Sequence, residues 1–330
     1  MKEFDYRKAP DVSGAVALLD ADPDARYLAG GTNLVDLMKS GVERPARLVD
    51  VRQLPLDRIE STPDGGLRIG ATVTNSDLAA HPGIRGRYPV LTQAVLAGAS
   101  GQLRNMATVG GNLLQRTRCA YFTDTTKPCN KRDPGSGCPA LGGEHHNHAI
   151  LGASESCVAV HPSDMAVALA ALDAVVHYET ADGRGELPLD QLYPPVAGTP
   201  DRETALPAGA LITGVSLPPL PVAARSRYRK VRERASYAFA IGSVAAALDI
   251  RDGIVRDARL AFGAVASRPW RARTAEQALI GAPATAETYA AAAEAELEAA
   301  RPLPHNGYKV PLMRNLTVAV LSELDEEAAR

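Results

Sequence analysis

The spacing of hydrophobic residues along the chain predicts a mixture of short helices and strands. Helices are predicted where apolar residues recur every three or four positions, at 12–20, 34–39, 78–80, 91–98, 165–172, 274–279, 285–300 and 313–324. Strands are predicted where apolar residues alternate with polar ones or form short runs, at 27–29, 48–51, 67–74, 157–160, 240–250 and 254–262. The segment from about 182 to 221 is rich in Pro and Gly and predicts a hairpin followed by a linker. The order strand, glycine turn, helix, strand near the start predicts a small α/β unit, and strands followed by helices predict an α+β C-terminal domain.

Composition limits the classes of function to consider. A length of 330 residues suggests two or three compact units, and 45% apolar with 22% charged residues is ordinary for a globular protein. A net charge of −2 gives no case for nucleic-acid or membrane-surface binding, and no apolar run approaches the roughly 20 residues of a membrane helix. The start MKEFDYRKAPD has no hydrophobic stretch, so the chain is expected to fold in the cytoplasm.

Two glycine pairs stand next to a Thr and an Asn. The first is GGTNL at 30–34, and the second is TVGGN at 108–112. Two glycines let the backbone approach a phosphate closely, and a following helix offers free N–H groups and the positive end of its dipole. One such pair is also an ordinary tight turn, whereas two can hold the two phosphates of a dinucleotide from opposite sides. Neither motif is a G-x-G-x-x-G fingerprint or a P-loop.

All four cysteines of the chain lie in one segment, at Cys119, Cys129, Cys138 and Cys157. This clustering, in a chain expected to fold in a reducing compartment, favours a metal site over disulfides. Four thiolates are the usual ligands of a cubane iron–sulfur cluster, and zinc also accepts four. Zinc sites usually space paired cysteines by about two to four residues, and here the gaps are 9, 8 and 18 residues. The wide loops favour the cluster, with zinc as the alternative.

Basic residues and histidines accompany the cysteines. Either they form an ordinary solvated loop or one or two of them offset the negative charge of four thiolates; the basic ones are Arg116, Arg118, Lys127, Lys131 and Arg132. The histidines, expected to be loop residues rather than ligands, are His145, His146 and His148.

One carboxylate begins the predicted helix that follows the last cysteine. Asp164 stands directly after Ser163, and an acid there is explained by helix capping or by the first-turn preference for negative charge. The functional interpretation is a carboxylate that accepts hydrogen bonds from the sugar or ribityl hydroxyls of a bound cofactor.

Several stretches resemble one known family, the flavin-binding medium subunits of molybdenum hydroxylases, which include xanthine dehydrogenases, carbon monoxide dehydrogenase and aldehyde oxidoreductases. The stretches are AGGTNLVDLMKSG, GATVTNSDLAAHP, RNMATVGGNL, HPSDMAVALAALDA and FGAVASRPWRA. They cover nearly the whole chain in the family's order. The cysteine insert, RTRCAYFTDTTKPCNKRDPGSGCPALGG, resembles the bacterial three-subunit aldehyde oxidoreductase type, whose flavin subunit carries an extra [4Fe–4S] cluster.

The resemblance implies a fold and a set of cofactor residues. The fold is α+β, with a two-part FAD domain of the vanillyl-alcohol oxidase (PCMH) type and a C-terminal α+β domain with a three-stranded antiparallel sheet. The implied regions are 1–60, 61–221 with the iron–sulfur insert at about 115–157, and 222–330. The residues that match the family's FAD site are Gly30, Gly31, Thr32, Asn33, Leu34, Thr108, Gly110, Gly111, Asn112, Asp164 and Lys230. Lys230 is the least specific of them, because it is also explained as a solvated charge beside Arg229 and Arg232.

The resemblance also implies an electron-transfer role. The expected complex is a heterotrimer with a large molybdopterin subunit and a small subunit carrying two [2Fe–2S] clusters, and the expected cofactors here are FAD and a [4Fe–4S] cluster. Electrons are expected to reach an external acceptor, and a signal on a partner could export the complex to the periplasm. No catalytic residue is expected. The alternatives are a stand-alone flavin oxidase acting on a small molecule, and a structural or redox-sensing iron–sulfur protein.

Overall fold

The computed structural model describes residues 1–328. The strands are β1 Asp5–Lys8, β2 Ala25–Leu28, β3 Arg47–Asp50, β4 Ile59–Ser61, β5 Leu67–Gly70, β6 Val175–Thr180, β7 Gly183–Pro188, β8 Leu211–Leu217, β9 Ser226–Val231, β10 Gly242–Arg251, β11 Ile254–Gly263 and β12 Trp270–Arg271. The helices are α1 Val12–Asp20, α2 Leu34–Ser40, α3 Asn75–Ala80, α4 Pro82–Arg87, α5 Pro89–Ala97, α6 Gly101–Arg104, α7 Val109–Leu113, α8 Ala120–Thr123, α9 Asp164–Ala171, α10 Leu189–Leu192, α11 Arg273–Leu279, α12 Ala286–Leu297 and α13 Lys309–Ala328. None of these helices is long and apolar enough to cross a membrane.

The strands form three sheets within the described residues. The first is parallel, in the order β1-β3-β2, and α1 packs on it through Ala15 and Val16 against Val49. The second is antiparallel, in the order β4-β5-β8-β6-β7. The third is also antiparallel, in the order β12-β11-β10-β9, and α11, α12 and α13 supply its core. Helices and sheets are mixed as expected for an α+β protein.

The sheet of the C-terminal region differs from the prediction in one respect. Three long strands, β9 to β11, are joined by a fourth of two residues, so the sheet has four strands rather than three. Strand β9 lies in the charged run after 225, because Tyr228 points into the core while Arg227 and Arg229 face Glu323 on α13. Alternating charge and burial makes this a half-buried strand.

Two predictions about the middle of the chain are wrong. Residues 157–160 form no strand; only an isolated bridge joins Cys157 to Ser154. The run is nevertheless buried, and two of its residues, Cys157 and Ala159, line the cysteine cavity. The supposed linker before 221 contains β8, which lies in the centre of the second sheet between β5 and β6. Strand β8 forms because it pairs with β5 on one edge and with β6 on the other, and both strands are distant from it in the sequence.

Candidate cofactor cleft and cysteine cavity

Both glycine turns line a single cleft of about 820 Å³. Gly30, Gly31, Thr32, Asn33 and Leu34 contribute from one side. Thr108, Gly110, Gly111 and Asn112 of the second turn also line the cleft, and Asp164 and Lys230 border the same space. The volume is within the range of roughly 300–1,000 Å³ that small-molecule and cofactor sites occupy. The structure thus brings together all eleven residues that the sequence assigned to the cofactor.

The first turn requires glycine at two positions. A methyl group on Gly30 would collide with the carbonyl oxygen of Met106, which belongs to the loop before the second turn. Gly31 has a φ of +72°, a left-handed conformation that favours glycine. Asn33 precedes α2 but makes no capping bond. Its Oδ1 instead accepts a hydrogen bond of 2.9 Å from the backbone N–H of Arg116, at the start of the cysteine segment.

The second turn is held by its own side chains. Thr108 caps the short helix α7, because its Oγ1 accepts from the N–H of Gly111 at 3.2 Å. The Oδ1 of Asn112 accepts from Ser163 Oγ at 2.6 Å and from Gln115 Nε2 at 2.8 Å. Ser163 in turn caps α9, so this turn and the start of α9 are fixed relative to each other. These bonds fix the second turn at the cleft, and the N–H groups of Gly110 and Gly111 are used within the protein, by Ala71 and Thr108.

A buried ionic network closes one end of the cleft. The Nζ of Lys230 lies 2.8 Å from Asp164 Oδ2 and donates to the carbonyl oxygen of Ala97 at 3.2 Å. Tyr228 donates its hydroxyl to the other carboxylate oxygen of Asp164 at 2.5 Å. The Lys230 side chain is 3% exposed and that of Asp164 10%. Burial, together with the adjacent carboxylate, raises the pKa of Tyr228 well above its usual value. Lys230 is therefore a paired, buried cation and not a solvated charge.

Three buried polar atoms in the cleft have no partner within the described chain. They are Asn33 Nδ2, Thr72 Oγ1 and Asn75 Oδ1. A buried polar group without a hydrogen bond costs about 1–3 kcal/mol, so a polar ligand in the cleft would satisfy these atoms. The residues present therefore fit a dinucleotide with phosphates and hydroxyls. Thr72 and Asn75 were missed as site residues, although they lie in the stretch GATVTN at 70–75.

Aromatic and arginine side chains form the rim of the cleft. Tyr237 and Phe239 are 57% and 49% exposed, which is unusual for such large apolar groups. The guanidinium of Arg118 lies 5.0 Å from the ring centre of Phe239, and that of Arg234 lies 5.6 Å from that of Tyr237. No sequence signal singled these residues out, because 234–239 has no periodic pattern.

The four cysteines line one small cavity next to helix α2. All are free thiols. Cys119 and Cys129 pack with Leu37 of α2 and with Phe122. Within residues 1–328 no three His, Cys, Asp or Glu side chains converge closely enough to hold one metal ion. The described residues therefore form no compact single-ion group. The four thiols that line the cavity are donors of the type that both zinc and iron–sulfur clusters take.

Burial favours the neutral forms of the thiols and the imidazole that line the cavity. Burial raises the pKa of Cys119 to about 11 and also raises that of Cys157. The Nε2 of His148 lies 3.2 Å from the Sγ of Cys119, and burial lowers the pKa of this imidazole to about 4, so the ring is neutral. His148 therefore contacts a cysteine as a hydrogen-bonding neighbour. A positive centre that binds thiolates would be needed to ionise these thiols near neutral pH.

Among the five basic residues of the segment, Lys131 is buried and Arg116 is half-buried. Lys131 lines the cavity with 8% exposure, and its Nζ is 3.4 Å from Glu203. Arg116 binds both Glu43 and Glu203 and stacks on Phe122 at 4.5 Å. The remaining three lie toward the surface: Arg118 pairs with Asp36, Lys127 is exposed, and Arg132 donates to backbone carbonyls.

Comparison with protein families identifies the class to which the chain belongs. A family model described as the FAD binding domain in molybdopterin dehydrogenase matches residues 2–220, and one for the CO dehydrogenase flavoprotein C-terminal domain matches residues 226–324. The chain is an FAD-binding medium subunit of the molybdenum hydroxylase family. The resemblance inferred from the sequence is confirmed, and so is the assignment as an oxidoreductase subunit that binds FAD.

Individual relatives agree with the family models. The chain is 50% identical to the aldehyde oxidoreductase FAD-binding subunit PaoB of Escherichia coli (strain K12), over 99% of this chain and 100% of the relative. It is 26% identical to the glyceraldehyde dehydrogenase medium chain of Sulfolobus acidocaldarius, over 84% and 82% of the two chains. Among solved structures, quinoline 2-oxidoreductase from Pseudomonas putida 86 matches with a TM-score of 0.77 and 25% identity, over the full length of both chains. The predicted fold class is thereby confirmed.

Proposed function

We propose that this chain is the FAD- and [4Fe–4S]-carrying electron-transfer subunit of a heterotrimeric molybdenum hydroxylase of the aldehyde oxidoreductase or xanthine dehydrogenase type. The subunit passes electrons from the [2Fe–2S] clusters of a partner to FAD and on to an external acceptor. The observation that carries the proposal is that two glycine turns face one cleft while four cysteines face one cavity, with helix α2 bordering both. The proposed regions are 1–60, 61–221 and 222–330.

In this proposal the chain's own residues hold FAD without reacting. The N–H groups at Gly30–Gly31 bind the diphosphate from the first turn. In the second turn the N–H groups of Gly110 and Gly111 already donate to Ala71 and Thr108, so these glycines contribute a close backbone approach without a side chain. Asp164, oriented by Lys230 and by Tyr228, accepts hydrogen bonds from ribose or ribityl hydroxyls. When bound, FAD supplies redox chemistry that no side chain provides.

The cysteine cavity is proposed to hold the [4Fe–4S] cluster through Cys119, Cys129, Cys138 and Cys157. Support comes from the donor set and from the cavity that the four cysteines share. Lys131 is the buried cation that lines the same cavity, and it offsets part of the thiolate charge.

The partners follow from the class of protein. A large molybdopterin subunit oxidises the organic substrate, and a small subunit with two [2Fe–2S] clusters supplies electrons to this chain. We infer that the chain folds in the cytoplasm, and that export of the complex depends on a signal carried by a partner.

One experiment tests both cofactors. The purified chain is analysed for flavin, iron and acid-labile sulfide, and its absorption spectrum is recorded. About four iron atoms, four sulfides and one FAD per chain are expected. Iron without flavin would favour a redox sensor, and oxidation of aldehydes or alcohols by the isolated chain would favour a stand-alone oxidase.

A further inference from the structure

Lys309, the first residue of α13, is fully buried without an acidic partner. Its side chain is 0% exposed, and its Nζ donates to the carbonyl oxygens of Ala264 at 2.8 Å and Asn147 at 3.0 Å. No carboxylate among residues 1–328 offsets this burial, and burial alone lowers the pKa of the ammonium group to about 7. An ammonium has three donors, so one remains unused.

Other buried cations of the chain are paired. Lys230 lies 2.8 Å from Asp164, and Lys131 lies 3.4 Å from Glu203. Removing an ammonium from water costs several kcal/mol unless an anion is near. A lysine that only bridged two carbonyls could be replaced by a neutral donor at lower cost. Lys309 is the exception: among residues 1–328 the polar partners of its Nζ are two carbonyl oxygens, and a nearby anion would favour its charged form.

The position of Lys309 indicates where such an anion would lie. The carbonyl that it binds belongs to Asn147, and the next residue, His148, lines the cysteine cavity with its Nε2 3.2 Å from Cys119 Sγ. Asn306, one turn before Lys309, donates to the carbonyl oxygens of His148 and Ala149 at 3.2 and 3.1 Å. The start of α13 thus holds the segment that forms one wall of the cavity.

We propose that Lys309 is a positioning residue for the cysteine cavity whose ammonium group offsets the charge of a cluster bound there. The inference rests on the proposed function. Four thiolates around a [4Fe–4S]2+ core carry a net charge of −2, and uptake of one electron makes it −3. A nearby cation stabilises the more negative form, so it raises the midpoint potential of the cluster.

The test compares Lys309→Gln with Lys309→Arg in the purified full-length chain. Glutamine keeps N–H donors for the two carbonyls but removes the charge, whereas arginine keeps the charge. The cluster is reduced stepwise with dithionite and followed by electron paramagnetic resonance. A lower midpoint potential is expected for Lys309→Gln and an unchanged one for Lys309→Arg and for the exposed control Lys127→Gln. A Lys309→Gln potential equal to that of the wild type overturns the proposal.

Urea unfolding of the iron-free chains provides a second readout. At a pH below about 7 and without a cluster, the ammonium is a buried charge without a carboxylate partner among residues 1–328. Iron-free Lys309→Gln is then expected to unfold at a higher urea concentration than the iron-free wild type. A purely structural lysine gives the opposite order, and that order, or a Lys309→Gln chain that does not fold even without iron, contradicts the proposal. A wild-type chain without iron refutes the cluster itself, whereas an iron-loaded chain with an unchanged potential refutes only the role of Lys309.

Discussion

The cofactor cleft and the cysteine cavity are built in different ways. The cleft depends on the backbone. A side chain at Gly30 would collide with the carbonyl oxygen of Met106, and Gly31 has a left-handed conformation that favours glycine. The cavity depends on side chains that converge from positions as far apart as Cys119 and Cys157. A backbone site tolerates change outside its turns, whereas a convergent site depends on every segment that supports it.

The two regions meet at helix α2. Leu37 packs against Phe122 and Cys129, while the residues just before the helix form the first glycine turn. Asn33 accepts a hydrogen bond from the backbone of Arg116, at the start of the cysteine segment. A structural change in the cysteine cavity can therefore shift the first glycine turn through these direct contacts.

The largest effect is expected when one cysteine is lost. Cys129→Ser replaces a soft thiolate by a hard hydroxyl, so iron content should fall from about four atoms per chain to nearly none. Thr125→Ser, an exposed change in the same loop, should leave the iron content unchanged. Iron and sulfide analysis measures both variants. Full iron content in Cys129→Ser would rule out this residue as a ligand.

Asp164→Asn is expected to destabilise the cleft strongly. It leaves Lys230, 3% exposed, without its carboxylate, at a cost of about 3–5 kcal/mol in the free energy of unfolding. Tyr228→Phe removes one hydrogen bond to the same carboxylate and should cost less, about 1.5–3 kcal/mol. Urea unfolding of the two variants gives the order. Equal stability of Asp164→Asn and the wild type would mean that the pair is not a structural element of the cleft.

Gly30→Ala is expected to weaken FAD binding by about tenfold to a hundredfold, since relieving the overlap with Met106 costs about 1–3 kcal/mol. Gly86→Ala is the matched control, because a methyl group there meets no atom within 4 Å. Flavin fluorescence titration of the apoprotein measures both affinities. An unchanged affinity in Gly30→Ala would show that the close packing of the first turn against Met106 does not affect FAD binding.

The smallest effect concerns the link between the two regions. Arg118 of the cysteine segment lies 3.1 Å from Asp36 of α2, and the Asp36 side chain is 67% exposed. A double-mutant cycle with Arg118→Gln and Asp36→Asn should give a coupling of only about 0.2–1 kcal/mol in thermal or urea unfolding. A coupling above this range would mean that the surface pair, and not the packing of Leu37, joins the regions.

Hydrophobic periodicity and turn residues in the sequence correctly predicted several helices and their ends, because neighbouring residues determine these features. The helix at 12–20 is observed as Val12–Asp20, and Gly41 ends α2 in a left-handed conformation with a φ of +78°. Strand β8 was missed because it is stabilised by pairing with β5 and β6, which are distant in the sequence. The residues of β8 themselves carry no local pattern that predicts this pairing.

The candidate site shows the same division. The glycine turns and the cysteines were recognisable as motifs, since each consists of residue types with a narrow range of uses. The pairing of Asp164 with Lys230 was not predicted, because the two residues are 66 positions apart. Thr72 and Lys309 were missed because only burial distinguishes them from surface residues of the same type.

Diffraction from crystals of the purified complex, recorded at the iron absorption edge, tests the central claim most directly. The account predicts an anomalous iron signal in this subunit enclosed by the sulfur atoms of Cys119, Cys129, Cys138 and Cys157, and density for an FAD diphosphate between Gly30–Gly31 and Gly110–Gly111. No iron among those four sulfur atoms, or a diphosphate outside the space between the two turns, would contradict it.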